Sequence, residues 1–277
     1  MTPPSTHLST PASTSETLRN PARPAAIEMR QLSHRYDDEL VVQEIDLRIE
    51  PGEVFGFLGH NGAGKTTVVN ILTTLLRPTS GTAQVCGFDV VSARDDVRRR
   101  IGYLPADVRM YPHLTARENL EFFAALSGVA DPRTAAEETL GYLGCDDYAN
   151  RRVGSFSTGM RQRIGIAQAI VHRPKVLFLD EPTTGLDPIG VRQLRHTIAR
   201  LKGELGMTVF MNTHLLSEVS KVCTTIGVLN HGELIYKASI EATTERFPDE
   251  TSLEDIYVRM EHLGNGTRDA ADGAGSS

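Results

Sequence analysis

A run of glycine, lysine and threonine near the N-terminal third of the chain has the residue types and spacing for phosphate chemistry. Residues 59–67 read Gly-His-Asn-Gly-Ala-Gly-Lys-Thr-Thr, a complete P-loop. Its glycines let the backbone form a nest of N–H groups that bind phosphate oxygens, and a helix beginning at Lys65 adds its positive end. The nucleotide-binding residues predicted here are Gly59, His60, Asn61, Gly62, Ala63, Gly64, Lys65, Thr66 and Thr67.

Two carboxylates follow an apolar run later in the chain. Residues 176–181 read Val-Leu-Phe-Leu-Asp-Glu, which predicts a buried strand that ends at Asp180 and Glu181. Ligands of open α/β sheets bind at this end of the strands. We expect Lys65 to reach the outer phosphates, Thr66 and Asp180 to hold magnesium, and Glu181 to orient or deprotonate the attacking water, which is sufficient for phosphoryl transfer. Alternatively, the Asp180-Glu181 pair could be a helix N-cap with a second acid at the positive end of the helix. This structural role is compatible with the catalytic one.

The elements around these motifs predict an α/β fold. Strand Val54–Leu58 precedes the P-loop and the helical run Thr66–Leu75 follows it. Apolar strands and helices then alternate, which implies a parallel sheet covered on both faces. The predicted strands are Val176–Leu179, Thr208–Met211 and Thr225–Leu229, and the predicted helices are Gly159–Ile170, Ile189–Leu205 and Leu215–Val222.

Other segments do not follow this alternation. The first part of the ordered chain contains β-type runs, at Ile27–Leu32, Val41–Ile49 and Thr82–Cys86. Apolar residues at helical spacing in Thr115–Leu126 and Thr134–Leu143 predict a helical insert over about residues 93–155. Glu233–Lys237 predicts a closing hairpin strand, and terminal helices are expected at Ile240–Phe247 and Ser252–Leu263. The ordered domain should span 26–263, between disordered tails at 1–25 and 264–277.

Composition excludes several classes of protein. Among 277 residues, 29 Lys and Arg oppose 35 Asp and Glu, so there is no broad basic excess and nucleic acid is not expected as a partner. No apolar run is long enough to span a bilayer, and the first 25 residues lack the apolar core of a secretory signal. Cys86, Cys145 and Cys223 are widely spaced, which favours reduced thiols in the cytosol over disulfides or a zinc site.

The order of four motifs resembles the ATP-binding subunit of an ABC transporter. The P-loop is followed by Ser-Thr-Gly-Met-Arg-Gln-Arg at 157–163, Leu-Asp-Glu-Pro-Thr-Thr-Gly-Leu-Asp-Pro at 179–188 and Asn-Thr-His at 212–214. The resemblance covers nearly all of residues 27–263. It implies a P-loop NTPase (RecA-like) core with an antiparallel β subdomain and an inserted α-helical subdomain, with ATP and Mg²⁺ as cofactors.

The resemblance also implies roles for residues outside the P-loop. Tyr36 would stack on adenine, and His214 would contact the γ-phosphate as a catalytic residue beside Glu181. Ser157 and Gly159 would form the signature loop that faces the ATP of a second subunit. Asp187 would lie in the loop that passes between the paired subunits. Purely structural roles stay open, because strand ends and helix N-caps use the same residue types.

This resemblance implies partners as well. A second ATP-binding subunit, identical or different, would complete each site, and separate integral membrane subunits (the permease) would hold the chain on the cytoplasmic face of the cell membrane. Residues 252–258 resemble the tail of exporter-type subunits, although an amphipathic helix explains them equally. The alternative is a soluble ABC ATPase acting on ribosomes or DNA. Such proteins usually carry two cassettes or a long coiled coil, and this chain shows neither.

One position departs from the family pattern. Gly102–Pro105 is followed by Ala106, where relatives usually have glutamine or glutamate. Alanine cannot bind magnesium or position water. Our hypothesis is that Asp107 completes the water network and that turnover is somewhat slower.

Overall fold

Residues 24–213, 219–248, 250 and 252–259 are described by the computed structural model. Their strands are β1 (Ile27–Tyr36), β2 (Glu39–Ile49), β3 (Val54–Leu58), β4 (Ser80–Val85), β5 (Phe88–Asp89), β6 (Ile101–Leu104), β7 (Val176–Asp180), β8 (Thr208–Asn212), β9 (Thr225–Asn230) and β10 (Glu233–Ser239). Their α-helices are α1 (Lys65–Leu72), α2 (Arg94–Arg98), α3 (Ala116–Leu126), α4 (Pro132–Tyr142), α5 (Thr158–Ile170), α6 (Pro188–Leu205) and α7 (Ile240–Arg246).

These strands form two sheets. The smaller sheet has four antiparallel strands in the order β2-β1-β4-β5. The larger has six strands in the order β10-β9-β3-β8-β7-β6, parallel from β9 to β6, with β10 antiparallel at the edge. The predicted parallel sheet with an antiparallel β subdomain is therefore confirmed.

Both faces of the larger sheet are covered, because alternate residues of its strands enter two different cores. On one face, Phe55, Phe57 and Phe178 surround Phe210, with ring centroids 5.3 to 5.5 Å from it. This core also contains residues of α1 and of the antiparallel sheet. The opposite core contains the other strand residues, such as Leu177 and Met211, together with apolar residues of α5 and α6. The P-loop and the two carboxylates lie at the ends of strands fixed by these cores.

The interval predicted as a helical insert contains a strand of the core. Residues 101–104 form β6, which pairs in parallel register with β7 at the edge of the larger sheet. A four-residue run with glycine in it has no usable periodicity, so the sequence did not distinguish this strand. After β6, helices α3 and α4 pack with α5 around a third apolar core that includes Leu120, Leu140 and Ile164. Thr115 begins α3 with a capping box that involves Glu118.

The C-terminal part closes the larger sheet. The predicted hairpin strand is β10, and the predicted helix after it is α7. Residues 253–259 are helical, and the remainder of the helix predicted at Ser252–Leu263 lies outside the described residues. Residues 215–218, half of the helix predicted at Leu215–Val222, lie outside them too, as do 1–23 and 264–277 of the predicted tails. Among the described helices, none combines the length and hydropathy that crossing a bilayer requires.

Candidate nucleotide-binding site

The P-loop connects β3 to α1 and is packed tightly against neighbouring backbone. Gly64 has a φ of +102°, and a Cβ there would lie 2.6 Å from the Val41 carbonyl oxygen. A Cβ on Gly59 would lie 2.5 Å from the Leu229 carbonyl oxygen. Any larger residue at either position would displace the loop, since real Cβ atoms do not approach a carbonyl that closely. The glycine spacing is thus a packing requirement as well as a means of approaching a ligand.

Lys65 lies back along the inner side of the P-loop. Its Nζ donates hydrogen bonds to the Gly59 carbonyl at 2.6 Å and to the His60 carbonyl at 3.0 Å, and the residue is only 6% exposed. Burial lowers the pKa of Lys65, and the negative charges of Glu181 and Asp180 oppose this shift. The lysine charge therefore interacts with both carboxylates that the sequence predicts for the site.

Asp180 is the last residue of β7 and is held by the neighbouring strand. It lies opposite Asn212 in the register of β7 and β8, and its Oδ1 accepts a 2.6 Å hydrogen bond from Asn212 Nδ2. Burial raises the pKa of Asp180, and the charge of Glu181 adds to the rise. The Asn212 hydrogen bond and the Lys65 charge lower it. Asp180 is only 7% exposed, so little water solvates its charge. A cation bound beside this carboxylate would therefore stabilise its ionised form.

Glu181 adopts a backbone conformation that few residues other than glycine tolerate. Its φ is +48°, and its backbone N–H donates to the Asn212 carbonyl at 2.8 Å. Such conformations cost about 1–3 kcal/mol and persist where the surrounding structure fixes them. The next residue is fixed as well, because Gln162 Nε2 of α5 donates a 2.8 Å hydrogen bond to the Pro182 carbonyl. The segment after β7 is therefore positioned by both β8 and α5.

Three side chains at this site have no role predicted from the sequence, although Asn212 and Gln162 stand within the quoted motifs. Asn212 holds Asp180, Gln162 holds the backbone after Glu181, and Tyr103 of β6 lies close enough for the Asp180 charge to affect it. Burial, with a smaller effect of Asp180, raises the pKa of Tyr103 to about 12. Asn212 could have been predicted from the sequence, because a polar residue at the end of a buried parallel strand lies at the same edge of the sheet as Asp180. The other two depend on contacts that only the fold creates.

The remaining predicted residues occupy helix and strand ends. Tyr36 ends β1, is 45% exposed and packs edge-to-face on His34, with centroids 4.6 Å apart. Ser157 Oγ accepts from the Met160 N–H at 3.3 Å, and Asp187 Oδ1 accepts from the Gly190 N–H at 2.7 Å. Ser157 and Asp187 are thus N-caps of α5 and α6, which is the structural role left open for each.

The signature loop is separate from the P-loop of its own chain. Within the part of the chain that the structure describes, no hydrogen bond joins residues 157–159 to the P-loop. Gly159 is half-buried, and a Cβ there would make one ordinary contact, with Leu186 Cδ2 at 3.9 Å. A small residue in the first turn of a helix, with no closer neighbour, leaves room for an anion to approach.

For two predicted residues, His214 and Asp107, the structure provides no contact that supports the predicted role. His214 lies outside the described residues, so its contact with the γ-phosphate stays a prediction. Asp107 is exposed and pairs with Arg109 Nε at 3.1 Å. Its role in a water network also stays a prediction, and an unchanged ATPase rate in Asp107→Ala would remove it.

A parallel sheet, a P-loop between β3 and α1, and an Asp-Glu pair at the end of β7 define a P-loop nucleotide hydrolase. The sequence matches the family described as "ABC transporter" over residues 42–184. The chain belongs to this family and is one of its ATP-binding subunits, an ATPase.

Individual relatives agree with this assignment. The chain is 38% identical to "ABC transporter ATP-binding protein NatA" of Bacillus subtilis (strain 168), over 87% of this chain and 99% of the relative. It is 37% identical to "Bacitracin transport ATP-binding protein BcrA" of Bacillus licheniformis, over 79% and 72%. It is 40% identical to "Nod factor export ATP-binding protein I" of Burkholderia thailandensis, over 76% and 70%.

Solved structures share the fold. One described as "Structure of ATP binding subunit of ABC transporter" superposes with a TM-score of 0.76 at 25% identity, over 85% of this chain and 99% of that one. The ATP-binding cassette MJ0796, described as a dimer in a post-hydrolysis state with ADP and Pi, gives 0.69 at 26% identity, over 77% and 98%. The α/β fold inferred from the sequence is thereby confirmed.

Proposed function

We propose that this chain hydrolyses MgATP to power export of a substrate through separate integral membrane subunits. The observation that carries the proposal is the meeting of Lys65, Asp180 and Glu181 at the carboxyl edge of the sheet, beside the P-loop. The relative named for Nod factor export favours export as the direction. A location on the cytoplasmic face of the membrane follows from that role.

The loop and its helix fit the phosphates of a nucleotide. The N-terminus of α1 has no side-chain cap, so the first N–H groups of the helix are available to an anion. A Cβ on Gly62 would meet nothing within 4 Å, which leaves space on that side of the loop. We assign the phosphates to Gly59–Thr67, and the adenine to the exposed ring of Tyr36.

The donor set fits magnesium. Mg²⁺ prefers oxygen ligands, and the Asp180 carboxylate and the exposed Thr66 hydroxyl supply them. Magnesium would neutralise charge on the phosphates. Asn212 keeps the Asp180 carboxylate oriented for that role. Glu181, fixed in its strained conformation, would hold the attacking water and accept its proton.

Two copies of the cassette would be needed for each site. Ser157 and Gly159 lie at the start of α5 and are not bonded to the P-loop of the same chain in the described residues. A helix N-terminus whose first turn contains a glycine suits the γ-phosphate of ATP held by a second subunit. Asp187, the N-cap of α6, would lie between the paired subunits.

A surface of exposed aromatic residues next to the site fits the permease. Tyr111 and Phe122 are 48% and 43% exposed, and with Phe123 they form an aromatic cluster whose ring centroids are 5.0 to 6.2 Å apart. A cavity of about 480 Å³ beside it is lined by Phe123 and by Tyr103 of β6. Exposed aromatic patches mark protein contacts, and this one adjoins the strand whose Tyr103 interacts with Asp180.

Hydrolysis and coupling can be tested separately. Glu181→Gln should abolish turnover of purified protein while ATP still binds, because the amide cannot take a proton from water. Phe122→Asp should leave turnover of the isolated subunit intact and reduce its co-fractionation with membranes that contain the permease. Normal turnover in Glu181→Gln would overturn the catalytic assignment. Equal membrane association of Phe122→Asp and the unmodified chain would overturn the docking surface.

A further inference from the structure

Two histidines from distant parts of the chain meet beside the P-loop. His60 is the second residue of the P-loop, and His231 lies in the turn between β9 and β10. Their ring centroids are 5.0 Å apart, with the ring planes inclined by 57°. Nucleotide binding as proposed above gives no role to His231 and uses only the backbone around His60.

The hydrogen bonding of His60 fixes which ring nitrogen carries the proton. His60 Nδ1 lies 2.7 Å from the Asn61 carbonyl oxygen. A carbonyl only accepts hydrogen bonds, so Nδ1 is the donor and Nε2 presents a lone pair. Nε2 is buried and has no hydrogen-bond partner in the described structure. A buried nitrogen left in this state costs about 1–3 kcal/mol, unless an ion or water satisfies it.

This arrangement is the one found in histidines that bind metals. A metal-binding imidazole almost always donates its other N–H to a carbonyl or carboxylate, which fixes the tautomer. With a metal–nitrogen bond of about 2.1 Å and each ring centre about 1.1 Å behind its nitrogen, two imidazoles at a tetrahedral angle have centroids about 5.2 Å apart. The observed separation of 5.0 Å is close to this value.

The two histidines are also held in place by the backbone around them. The Gly232 N–H donates to the Ala63 carbonyl of the P-loop at 3.0 Å, and Gly232 accepts from the Gln43 N–H at 2.8 Å. Gln43 Nε2 donates to the His231 carbonyl at 2.8 Å. Because both segments are fixed to each other without a ligand, little ordering is required for a cation to bind both rings.

We propose that His60 Nε2 and a ring nitrogen of His231 bind a divalent transition-metal cation of the Zn²⁺ or Ni²⁺ class. Imidazole suits these cations, whereas Mg²⁺ prefers oxygen, so the site differs chemically from Thr66 and Asp180. The described residues contain no cluster of three or more metal-binding side chains. His231 is exposed, so water would reach the cation from the His231 side and complete its coordination. The bound cation joins the P-loop to the β9–β10 turn. This inference does not depend on ATP turnover.

Direct binding to the full chain tests the site. Zn²⁺ is titrated by isothermal calorimetry into nucleotide-free protein, with excess Mg²⁺ to occupy oxygen sites. We expect one equivalent to bind and to raise Tm, since the ion binds only the folded state. His231→Asn should weaken binding by roughly tenfold or more. Asparagine is the suitable replacement because His231 has a φ of +46°, which asparagine tolerates.

A matched control separates this site from other histidines. His196→Asn removes an exposed histidine of α6 and should leave Zn²⁺ affinity unchanged. His60→Asn should weaken binding as His231→Asn does, with circular dichroism to confirm folding. If His60→Asn does not fold, His231→Asn alone decides. Unchanged affinity in His231→Asn, or no Zn²⁺ binding in the presence of excess Mg²⁺, would overturn the proposal and leave the two rings as a packing contact.

Discussion

Asn212 donates a 2.6 Å hydrogen bond to Asp180 across two neighbouring strands, and its own carbonyl accepts from the backbone of Glu181. One residue of β8 therefore positions both carboxylates at the end of β7. The hydrogen bond to Asp180 also favours the ionised form of that carboxylate, because it lowers the pKa that burial raises.

Removing this hydrogen bond should shift the pH dependence of hydrolysis. In Asn212→Leu the pKa of Asp180 should rise further, because a hydrogen bond to the charged form is lost. The proposed magnesium-binding role of Asp180 requires the ionised carboxylate, so the acid limb of kcat/KM for MgATP should move to higher pH. The measurement is a pH–rate profile at saturating Mg²⁺.

Thr208→Val is the control for Asn212→Leu. It removes the half-buried 2.9 Å hydrogen bond from the Gly52 N–H to Thr208 Oγ1, at the opposite end of β8. This change should cost about 1 kcal/mol of stability without moving the acid limb. An acid limb unchanged in Asn212→Leu would show that Asp180 does not govern it.

Gln162 should act on turnover more than on nucleotide affinity. Gln162→Met keeps the shape of the side chain but removes the donor to the Pro182 carbonyl, next to Glu181. The carboxylate should then be held less well, and kcat should fall roughly tenfold with KM for ATP nearly unchanged. Steady-state kinetics measure both constants.

Gln168 supplies a comparison from the same helix. Its Oε1 is buried without a hydrogen-bond partner in the described structure, so Gln168→Met should retain turnover. A rise in KM without a fall in kcat for Gln162→Met would argue against positioning of Glu181 by α5.

Glycine-to-alanine changes should have opposite effects at two positions. At Gly64 the φ is +102°, and a methyl group there would lie 2.6 Å from the Val41 oxygen. Gly64→Ala should therefore lose about 2–4 kcal/mol of stability, together with ATP binding. At Gly203, inside α6, nothing lies within 4 Å, and Gly203→Ala should gain about 0.5–1 kcal/mol. Denaturant unfolding measures both, and equal stability of the two variants would contradict the packing described for the P-loop.

Two inactive variants should restore each other if sites form between subunits. Lys65→Ala removes the lysine proposed to bind the phosphates, and Gly159→Asp would place a carboxylate where the γ-phosphate of the partner's ATP is proposed to lie. Aspartate suits the first turn of a helix, so the second variant should remain folded. A mixed dimer contains one site with both changes and one with neither. ATPase activity of the mixture should therefore exceed that of either variant alone, and a mixture as inactive as its components would exclude shared sites.

The apolar strands and the P-loop could be located from sequence because both depend on local pattern. Val54–Leu58 and Val176–Leu179 are continuous apolar runs, and a strand buried on both faces requires such a run. The strand β6 could not be located in this way, because a run of four residues is too short to show a period and it pairs with β7, far along the chain.

Side-chain partners at the site depend on sheet register. Asp180 and Asn212 are brought opposite each other only when β7 and β8 pair in parallel, a fact that neither segment contains alone. Ser157 and Asp187 illustrate the converse, since their N-cap geometry follows from a few adjacent residues and can be predicted from those residues alone.

The contacts of the P-loop with Leu229 and Gly232 have a consequence for synthesis of the protein on the ribosome. A nascent chain that has emerged only as far as β8 lacks Gly232, whose N–H donates to the Ala63 carbonyl. It also lacks β9, whose Leu229 lies against Gly59. Nascent chains should therefore acquire nucleotide affinity late, after the hairpin of β9 and β10 has left the exit tunnel, and cellular ATP would then favour the finished fold.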